Sequence, residues 1–156
     1  MNQIYIAGPL YSTFQRDFVE KVAIEISHSI ELSYPDDFFI PHLEVGLVGD
    51  ISRKEIFLKD IKNIDRSLLL VAILDGQDVD SGTALEIGYA YAKNIPVYGL
   101  LTDFRAIALN KNLVIEKNEY KDINLMIWCA CKYGNNIFYN LHDLKEGIKS
   151  YITNIH

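Results

Sequence analysis

The sequence has few basic residues, few cysteines and no long apolar run, and each shortage excludes a class of protein. Lysine and arginine number 15 against 21 aspartate and glutamate residues, which gives a formal net charge of −6. This balance does not predict the positive surface that binds nucleic-acid polymers or anionic membranes, so we expect neither as a partner. A single nucleoside or nucleotide stays compatible, because one small site needs only local charges. No apolar run approaches the roughly 20 residues of a membrane-spanning helix.

Metal and phosphate motifs are also missing. Cys129 and Cys131 lie two residues apart in a segment with helical character, so their side chains face different directions and no disulfide is expected between them. Neither the cysteines nor the four histidines have zinc-ligand spacing. The glycine motifs that hold mono- or dinucleotide phosphates are absent. Because these motifs are missing, we expect neither a metal nor a cofactor. The amino-terminal stretch MNQIYIAGPLY lacks the features of a secretion signal, so we expect a cytoplasmic protein.

Short apolar segments alternate with amphipathic ones, and residues 1–156 are expected to form one domain. The expected strands are QIYIAG, DFFIPHL, SLLLVAIL, IPVYGLL and NIFYN, of which DFFIPHL is interrupted by Pro41. The apolar run Ser67–Leu74 is typical of a strand that is buried on both faces. This alternation predicts an α/β fold: a single doubly wound (flavodoxin-like) domain with a five-stranded parallel sheet flanked by helices.

The expected helices begin near Thr13, Ser52, Asp80, Asn124 and Leu141. The first carries a four-residue repeat of apolar side chains, namely Phe14, Phe18, Val22, Ile26 and Ile30. The second covers Ser52–Arg66 and the last Leu141–Thr153, while Gly46–Asp50 and the segment after Leu101 are expected to be irregular. Because ligands bind beyond the carboxyl ends of parallel strands, the loops GPLYS and DGQDVDSG are expected to border the site.

Asp60 lies on the apolar stripe of the second helix, with Ile56 and Ile64. A structural explanation is an aspartate at the edge of the core, bonded to backbone amides or to a basic side chain. A functional explanation is a carboxylate that faces a pocket.

Glu86 has two interpretations as well. Thr83 and Glu86 match the T-x-x-E capping box, in which the glutamate bonds to the backbone of the cap residue. The same position follows a central strand, where a carboxylate near a helix amino terminus suits a nucleophile. The local pattern leaves both open.

Asp75, Asp78 and Asp80 precede this helix. They do not follow the calcium-loop spacing, because glycine and glutamate would have to occupy its sixth and twelfth positions. Asp78 is typical of a solvated turn, and Asp80 of a helix N-cap. Carboxylates that converge without a metal or phosphate site are suited to breaking a glycosidic bond, in which one attacks the anomeric carbon and another supplies a proton.

Four segments, IYIAGPL, DVDSGTALEIGYAYA, PVYGLLTDFR and INLMIW, resemble the nucleoside 2-deoxyribosyltransferase family. The resemblance runs in order from Ile4 to about Trp128. It implies a single doubly wound α/β domain without a cofactor. It also implies transfer of 2-deoxyribose between nucleobases through a covalent sugar–enzyme intermediate, with retention at the anomeric carbon.

The resemblance also implies roles for individual residues. Glu86 matches the nucleophile and Asp80 the group that protonates or binds the base. Asp60 matches the aspartate that holds sugar hydroxyls or supports the nucleophile, and Tyr5 the tyrosine that orients it. Asn124 matches an asparagine that an adjacent subunit contributes to the 5′-hydroxyl. The expected substrate-binding residues in the loops are Gly8, Pro9, Asp75, Gly76, Ser81 and Gly82.

The implied partners are small-molecule deoxynucleosides, free nucleobases and further copies of the chain, as a hexamer or a dimer. Arg105 is expected to form a structural ion pair.

Two other functions are open: an N-glycosidase of deoxynucleoside 5′-monophosphates, and a nucleoside-binding protein without activity. The first needs serine or basic groups around the phosphate, and GPLYS offers Ser12 without a basic cluster. A binding protein without activity does not require three buried carboxylates, which disfavours this second alternative.

Overall fold

The computed structural model describes residues 3–44, 51–105 and 123–155. The described elements alternate along the chain as follows: β1 (Gln3–Ala7), α1 (Thr13–Ser27), β2 (Phe38–Phe39), α2 (Pro41–Glu44), α3 (Arg53–Ile64), β3 (Ser67–Ile73), α4 (Ser81–Ala92), β4 (Val97–Leu100), α5 (Leu125–Ala130), β5 (Ile137–Phe138) and α6 (Leu141–Ile155). No helix in these ranges combines the length and the apolar character needed to cross a bilayer.

The five strands form one parallel sheet in the order β2-β1-β3-β4-β5. This is the flavodoxin-like order of a doubly wound fold, so the predicted fold class is confirmed. β1 pairs with β3 along its whole length, from Gln3 opposite Ser67 to Ala7 opposite Ala72. The central run Ser67–Ile73 is almost entirely buried, as its apolar sequence predicts.

The core is divided between the two faces of the sheet. On one face α1 and α6 pack against the strands, and their main buried side chains include Val22, Ile26 and Ile148. On the other face α3, α4 and α5 contribute Ile64, Ile87 and Ile127. The sheet is therefore covered on both sides, and only its strand ends are available to a ligand.

The chain changes direction between β1 and β3. From β1 it passes outwards to β2 and then returns to β3 on the other side of β1. The loops that follow β1 and β3 therefore leave the sheet in opposite directions, which opens a crevice at the carboxyl edge. Residues 8–12 and 74–80 border this crevice.

Two local predictions were wrong. Only Phe38–Phe39 of DFFIPHL is a strand, and Pro41 begins α2, because proline lacks the amide hydrogen of a strand but fits the first position of a helix. In α1 the buried side chains include Val19, Val22 and Ala23, whereas Phe14 is 76% exposed. A strict four-residue repeat drifts around a helix of 3.6 residues per turn, so its first member leaves the core.

Other expected boundaries differ by a few residues. α3 begins after Ser52, whose side chain forms a capping box with Glu55, and it ends at Ile64. α6 extends to Ile155. The predicted loop Gly46–Asp50 lies outside the described residues, as does most of the irregular segment expected after Leu101.

Candidate active site

A hydrogen bond between Tyr5 and Glu86 connects the two elements that flank the crevice. The Tyr5 hydroxyl donates to Glu86 Oε1 at 2.6 Å. Tyr5 lies in the middle of β1 with its side chain fully buried, and its ring stacks on Phe39 with 5.2 Å between centroids. The tyrosine therefore has little freedom to turn, and it holds the carboxylate of α4 at the edge of the sheet.

Burial raises the pKa of Glu86 from 4.5 to about 8. The hydrogen bond from Tyr5 lowers this pKa, while the negative charges of Asp60 and Asp80 raise it. The pKa of Tyr5 is raised well above its usual range by burial and by the charge of Glu86, so the phenol stays protonated and donates. In this hydrogen bond Tyr5 is therefore always the donor and Glu86 the acceptor. The remaining lone pairs of the Glu86 carboxylate are available to a ligand.

Asp60 on α3 has no hydrogen-bond partner for its buried Oδ1 in the described part of the chain. Loss of hydration raises its pKa to about 6, and nearby Lys59 opposes the shift. The structural explanation required backbone amides or a basic partner, and the described residues supply no such hydrogen bond to this oxygen. An unsatisfied buried acceptor is costly, which favours a ligand or a water molecule at this oxygen.

Asp80 is the N-cap of α4. Its side chain accepts from the Thr83 amide at 3.0 Å and from the Thr83 hydroxyl at 3.3 Å. The T-x-x-E interpretation is therefore wrong: Thr83 lies in the first turn, and Glu86 lies too far along α4 to reach the cap backbone. Asp80 was recognised from sequence as a possible N-cap, and it occupies that position.

These three carboxylates line one cavity of about 300 Å³ at the carboxyl edge of the sheet. That volume is at the lower end of the range for small-molecule sites. The other residues that line it come from the loop after β1, from α2, from α3 and from the start of α4: Gly8, Leu10, Tyr11, Pro41, His42, Ile56, Gly82 and Thr83. The cavity is thus built at the crevice that the strand order creates.

Among the expected substrate-binding residues, Gly8 and Gly82 line this cavity. Gly8 also allows the chain to pass close to the core, since a side chain there would lie 3.0 Å from Val19 and 3.3 Å from Ile73. Pro9 is buried beside it, and Ser81 is the exposed first residue of α4. Neither of these two contributes to the wall of the cavity.

Asp75, Gly76 and Asn124 lie elsewhere. Asp75 accepts from the backbone and hydroxyl of Thr102 and from the Asp103 amide, so it joins the ends of β3 and β4. Gly76 adopts a φ of 135°, a conformation that favours glycine, and its amide donates to Asp103. Asn124 is exposed and caps α5 by accepting from the Met126 amide.

Arg105 forms the expected ion pair. Its guanidinium lies 2.6 Å from Asp103 Oδ2 and donates to the Leu74 carbonyl at 2.8 Å. It therefore stabilises the loop after β4. The described residues contain no group of three or more histidine, cysteine, aspartate or glutamate side chains arranged to hold a metal ion.

His42 lines the cavity, although nothing in its sequence context singled it out. It lies in α2, in a segment whose sequence predicted a strand, and its side chain is 4% exposed. The signal that could have placed it is Pro41, because proline favours the first turn of a helix. A helix that begins directly after β2 brings its next residue to the carboxyl edge of the sheet.

The fold and the cavity define a doubly wound α/β protein with a small-molecule site at its switch point. The chain belongs to a known family of this kind, because the family model described as nucleoside 2-deoxyribosyltransferase matches residues 4–126. This match confirms the family that the sequence motifs indicated.

Solved structures extend the comparison. A conserved protein from Enterococcus faecalis V583 is similar over 97% of this chain and 99% of its own, with 33% identity and a TM-score of 0.78. A 2-deoxyribosyltransferase from Bacillus psychrosaccharolyticus covers 92% of this chain and 90% of its own, with 23% identity and a TM-score of 0.65. A CMP N-glycosidase from Clostridium botulinum is similar over 96% of this chain and 99% of its own, with 17% identity and a TM-score of 0.52. The last two establish a shared fold.

The substitution Glu86→Gln is expected to stabilise the protein at alkaline pH. The folded pKa of about 8 lies above the ordinary 4.5, so the unfolded chain releases this proton first and stability falls as pH rises between the two values. Glutamine keeps an acceptor for Tyr5 without a charge. We expect the free energy of unfolding at pH 8.5 to rise by about 1–3 kcal/mol, with a smaller gain at pH 5. Denaturant titration at both pH values measures this.

Glu55→Gln is the matched control. Hydrogen bonds from Ser52 lower the pKa of Glu55, so neutralising it is expected to destabilise the protein at neutral pH. Loss of stability in Glu86→Gln that matches the loss in Glu55→Gln would contradict the assignment of Glu86 as a buried carboxylate with a raised pKa.

Proposed function

We propose that the protein transfers 2-deoxyribose between nucleobases through a covalent intermediate on Glu86. The observation that carries the proposal is the 2.6 Å hydrogen bond from Tyr5 to Glu86 in a cavity that Asp60 and Asp80 also line. A carboxylate held by one oxygen and open to a cavity is equipped to attack an anomeric carbon. Membership of the family supports the same chemistry.

In the first step Glu86 attacks C1′ of the deoxynucleoside. The bond from C1′ to the base nitrogen breaks, its electron pair leaves with the base, and a sugar ester forms on Glu86. Asp80, directly or through water, gives the departing base a proton. Assistance of this kind is worth about 10²–10⁴-fold in rate. In the second step a new base attacks C1′, the ester electron pair returns to Glu86, and the proton from the new base returns to Asp80.

Two inversions at C1′ give overall retention. Tyr5 orients Glu86 before each attack and lowers its pKa, which increases the ionised fraction. Asp60 offers its unpaired Oδ1 to a sugar hydroxyl at the same cavity. Ribose differs from deoxyribose by one hydroxyl, and we propose that a cavity of about 300 Å³ excludes it by lack of room.

Hydrolysis is the second candidate. The structural likeness to a CMP N-glycosidase shows that this fold also accommodates an N-glycosidase. A nucleoside monophosphate as the substrate is disfavoured, because the described residues that line the cavity include carboxylates such as Asp60 and no lysine or arginine to bind a phosphate. Ser12 is occupied as well, since its hydroxyl donates to Gln15 at 2.9 Å.

The activity is tested with deoxyinosine and free adenine, followed by chromatography of the products. Deoxyadenosine indicates transfer, and hypoxanthine with free deoxyribose indicates hydrolysis. Glu86→Ala is expected to lower either rate by at least about a thousandfold, because the covalent step has no substitute. The absence of both reactions, with purine, pyrimidine and monophosphate donors, would contradict the proposal.

The pH dependence of kcat/KM is expected to follow the ionisation of Glu86. The profile should have an inflection near 8, where Glu86 passes between its protonated and ionised forms in the free enzyme. Tyr5→Phe removes a hydrogen bond that lowers this pKa, so the inflection should move to higher pH and kcat should fall by about tenfold or more. Tyr34→Phe, on the other side of the sheet, is the control and should change neither. An unchanged inflection in Tyr5→Phe would refute the role of Tyr5.

We also propose that the chain forms a homo-oligomer in which a neighbour completes the site. The layer formed by α3, α4 and α5 exposes several large apolar side chains: Phe57, Leu58, Leu85, Tyr91, Leu125 and Met126. Gly88 on the same layer has nothing within 4 Å of its Cβ position, so the surface there is open. Asn124 lies beside Leu125 and does not line the cavity of its own chain, and in the proposed assembly it reaches the cavity of another subunit.

Leu85→Lys is expected to weaken this assembly, because a charge would replace a buried apolar contact. Light scattering coupled to size-exclusion chromatography should show a shift towards monomer and, with it, a loss of activity. Ile155→Lys introduces the same charge at a similarly exposed position on α6, at the opposite face of the sheet, and should leave the mass unchanged. A wild-type protein that is monomeric at assay concentration would contradict the proposal.

A further inference from the structure

His42 lines the cavity, and the proposed reaction does not use its imidazole. Its side chain is only 4% exposed, and its Nε2 lies 2.9 Å from Glu20 Oε1 on α1. The other ring nitrogen, Nδ1, is buried and has no hydrogen-bond partner in residues 3–44, 51–105 and 123–155. A buried imidazole nitrogen without a partner is unfavourable, so a group that enters the cavity is expected to satisfy it.

Glu20 determines which ring nitrogen carries the proton. An ionised carboxylate only accepts hydrogen bonds, so Nε2 must donate to Glu20. In the neutral imidazole Nδ1 then presents a lone pair, which needs a donor from the ligand. Hydroxyl groups and nucleobase N–H groups meet this requirement. A phosphate does not, because it offers acceptors, and the carboxylate of Glu20 lies directly beside the ring.

The strand order indicates which part of a nucleoside reaches His42. His42 follows β2 and Asp80 follows β3, and these strands lie on opposite sides of β1, from which Tyr5 holds Glu86. A substrate with its anomeric carbon at Glu86 and its base at Asp80 therefore extends its sugar towards His42. Asp60, with its own unpaired oxygen, lines the same cavity from α3.

We propose that His42 binds the deoxyribose, with Nδ1 accepting a hydrogen bond from a sugar hydroxyl and Glu20 fixing the tautomer. This inference rests on the proposed function, because it places the sugar relative to Glu86. His42 is a substrate-binding residue in this assignment, and Glu20 is a positioning residue that acts through it.

Two substitutions distinguish the ring nitrogens. The asparagine amide in His42→Asn lies near the position of Nδ1, whereas the longer glutamine in His42→Gln reaches the position of Nε2 and Glu20. We expect His42→Gln to lower kcat/KM for deoxyinosine by about tenfold to a hundredfold, chiefly through KM, because a substrate hydroxyl loses its acceptor. His42→Asn should retain most of the activity. His142→Gln, at an exposed position on α6, is the matched control and should behave as wild type.

Substrate analogues test the contact itself. The same three variants and the wild type are assayed with 2′,3′-dideoxyinosine and 2′,5′-dideoxyinosine. For the analogue that lacks the partner hydroxyl, wild type and His42→Gln should have similar kcat/KM, since the contact is already missing. If the role of His42 were purely structural, His42→Gln would instead lower kcat/KM for all three substrates by the same factor. That result would overturn the inference.

A binding measurement covers the case in which activity is absent. Histidine-labelled wild-type protein is titrated with deoxyinosine and followed by nitrogen NMR, and the Nδ1 resonance of His42 is assigned from its loss in His42→Gln. A shift of this resonance on binding supports the contact even if no reaction occurs, and then the proposed function alone fails. A protein that turns over deoxyinosine with no shift at His42 refutes the inference and leaves the function standing. The absence of both turnover and shift refutes both.

Discussion

The hydrogen bond from Tyr5 to Glu86 is the interaction on which the arrangement of the site depends. It joins β1 to α4 across the crevice where the strand order reverses, and its two ends are 81 positions apart in the chain. Tyr5 cannot move without disturbing the core, because its ring is fully buried and stacked on Phe39. The carboxylate is therefore held by a side chain that is fixed in the core, which is the geometry that the proposed nucleophile requires.

The carboxylates of the cavity lower the stability of the folded protein. Burial raises the pKa values of Glu86 and Asp60, to about 8 and about 6, and Asp80 adds a further negative charge at the edge of α4. Carboxylates brought together in this way lower the stability of the folded protein as the pH rises from their ordinary pKa to these raised values. Structural need does not explain the cluster, since the described residues give the buried oxygen of Asp60 no partner. The proposed chemical role would account for it, because a raised pKa near neutrality suits acid–base and covalent steps.

Several predicted residues have structural duties that compete with their proposed roles. Asp75 joins the ends of β3 and β4, Gly76 supplies a positive φ, and Asn124 caps α5. Asp80 caps α4 and also lines the cavity, so its structural duty and its proposed role fall on the same carboxylate. Local motifs identify such residues but do not separate the two roles, since a cap and a proton donor require the same type of side chain at the same place. Their contributions to substrate binding stay predictions.

The sequence by itself determined the fold class, since apolar runs such as Ser67–Ile73 have only one stable environment, a strand covered on both faces. It also indicated the family and marked Glu86, Asp60 and Asp80 as carboxylates out of place. Only the tertiary structure decided what surrounds them. The T-x-x-E pattern at Thr83 was misleading because a helix start depends on which residue caps it, and Asp80 does. The partner of Glu86 is a tyrosine on another strand, and His42 reaches the cavity because α2 begins directly after β2. Contacts between residues far apart in the chain follow from strand order and packing, which no local window of sequence contains.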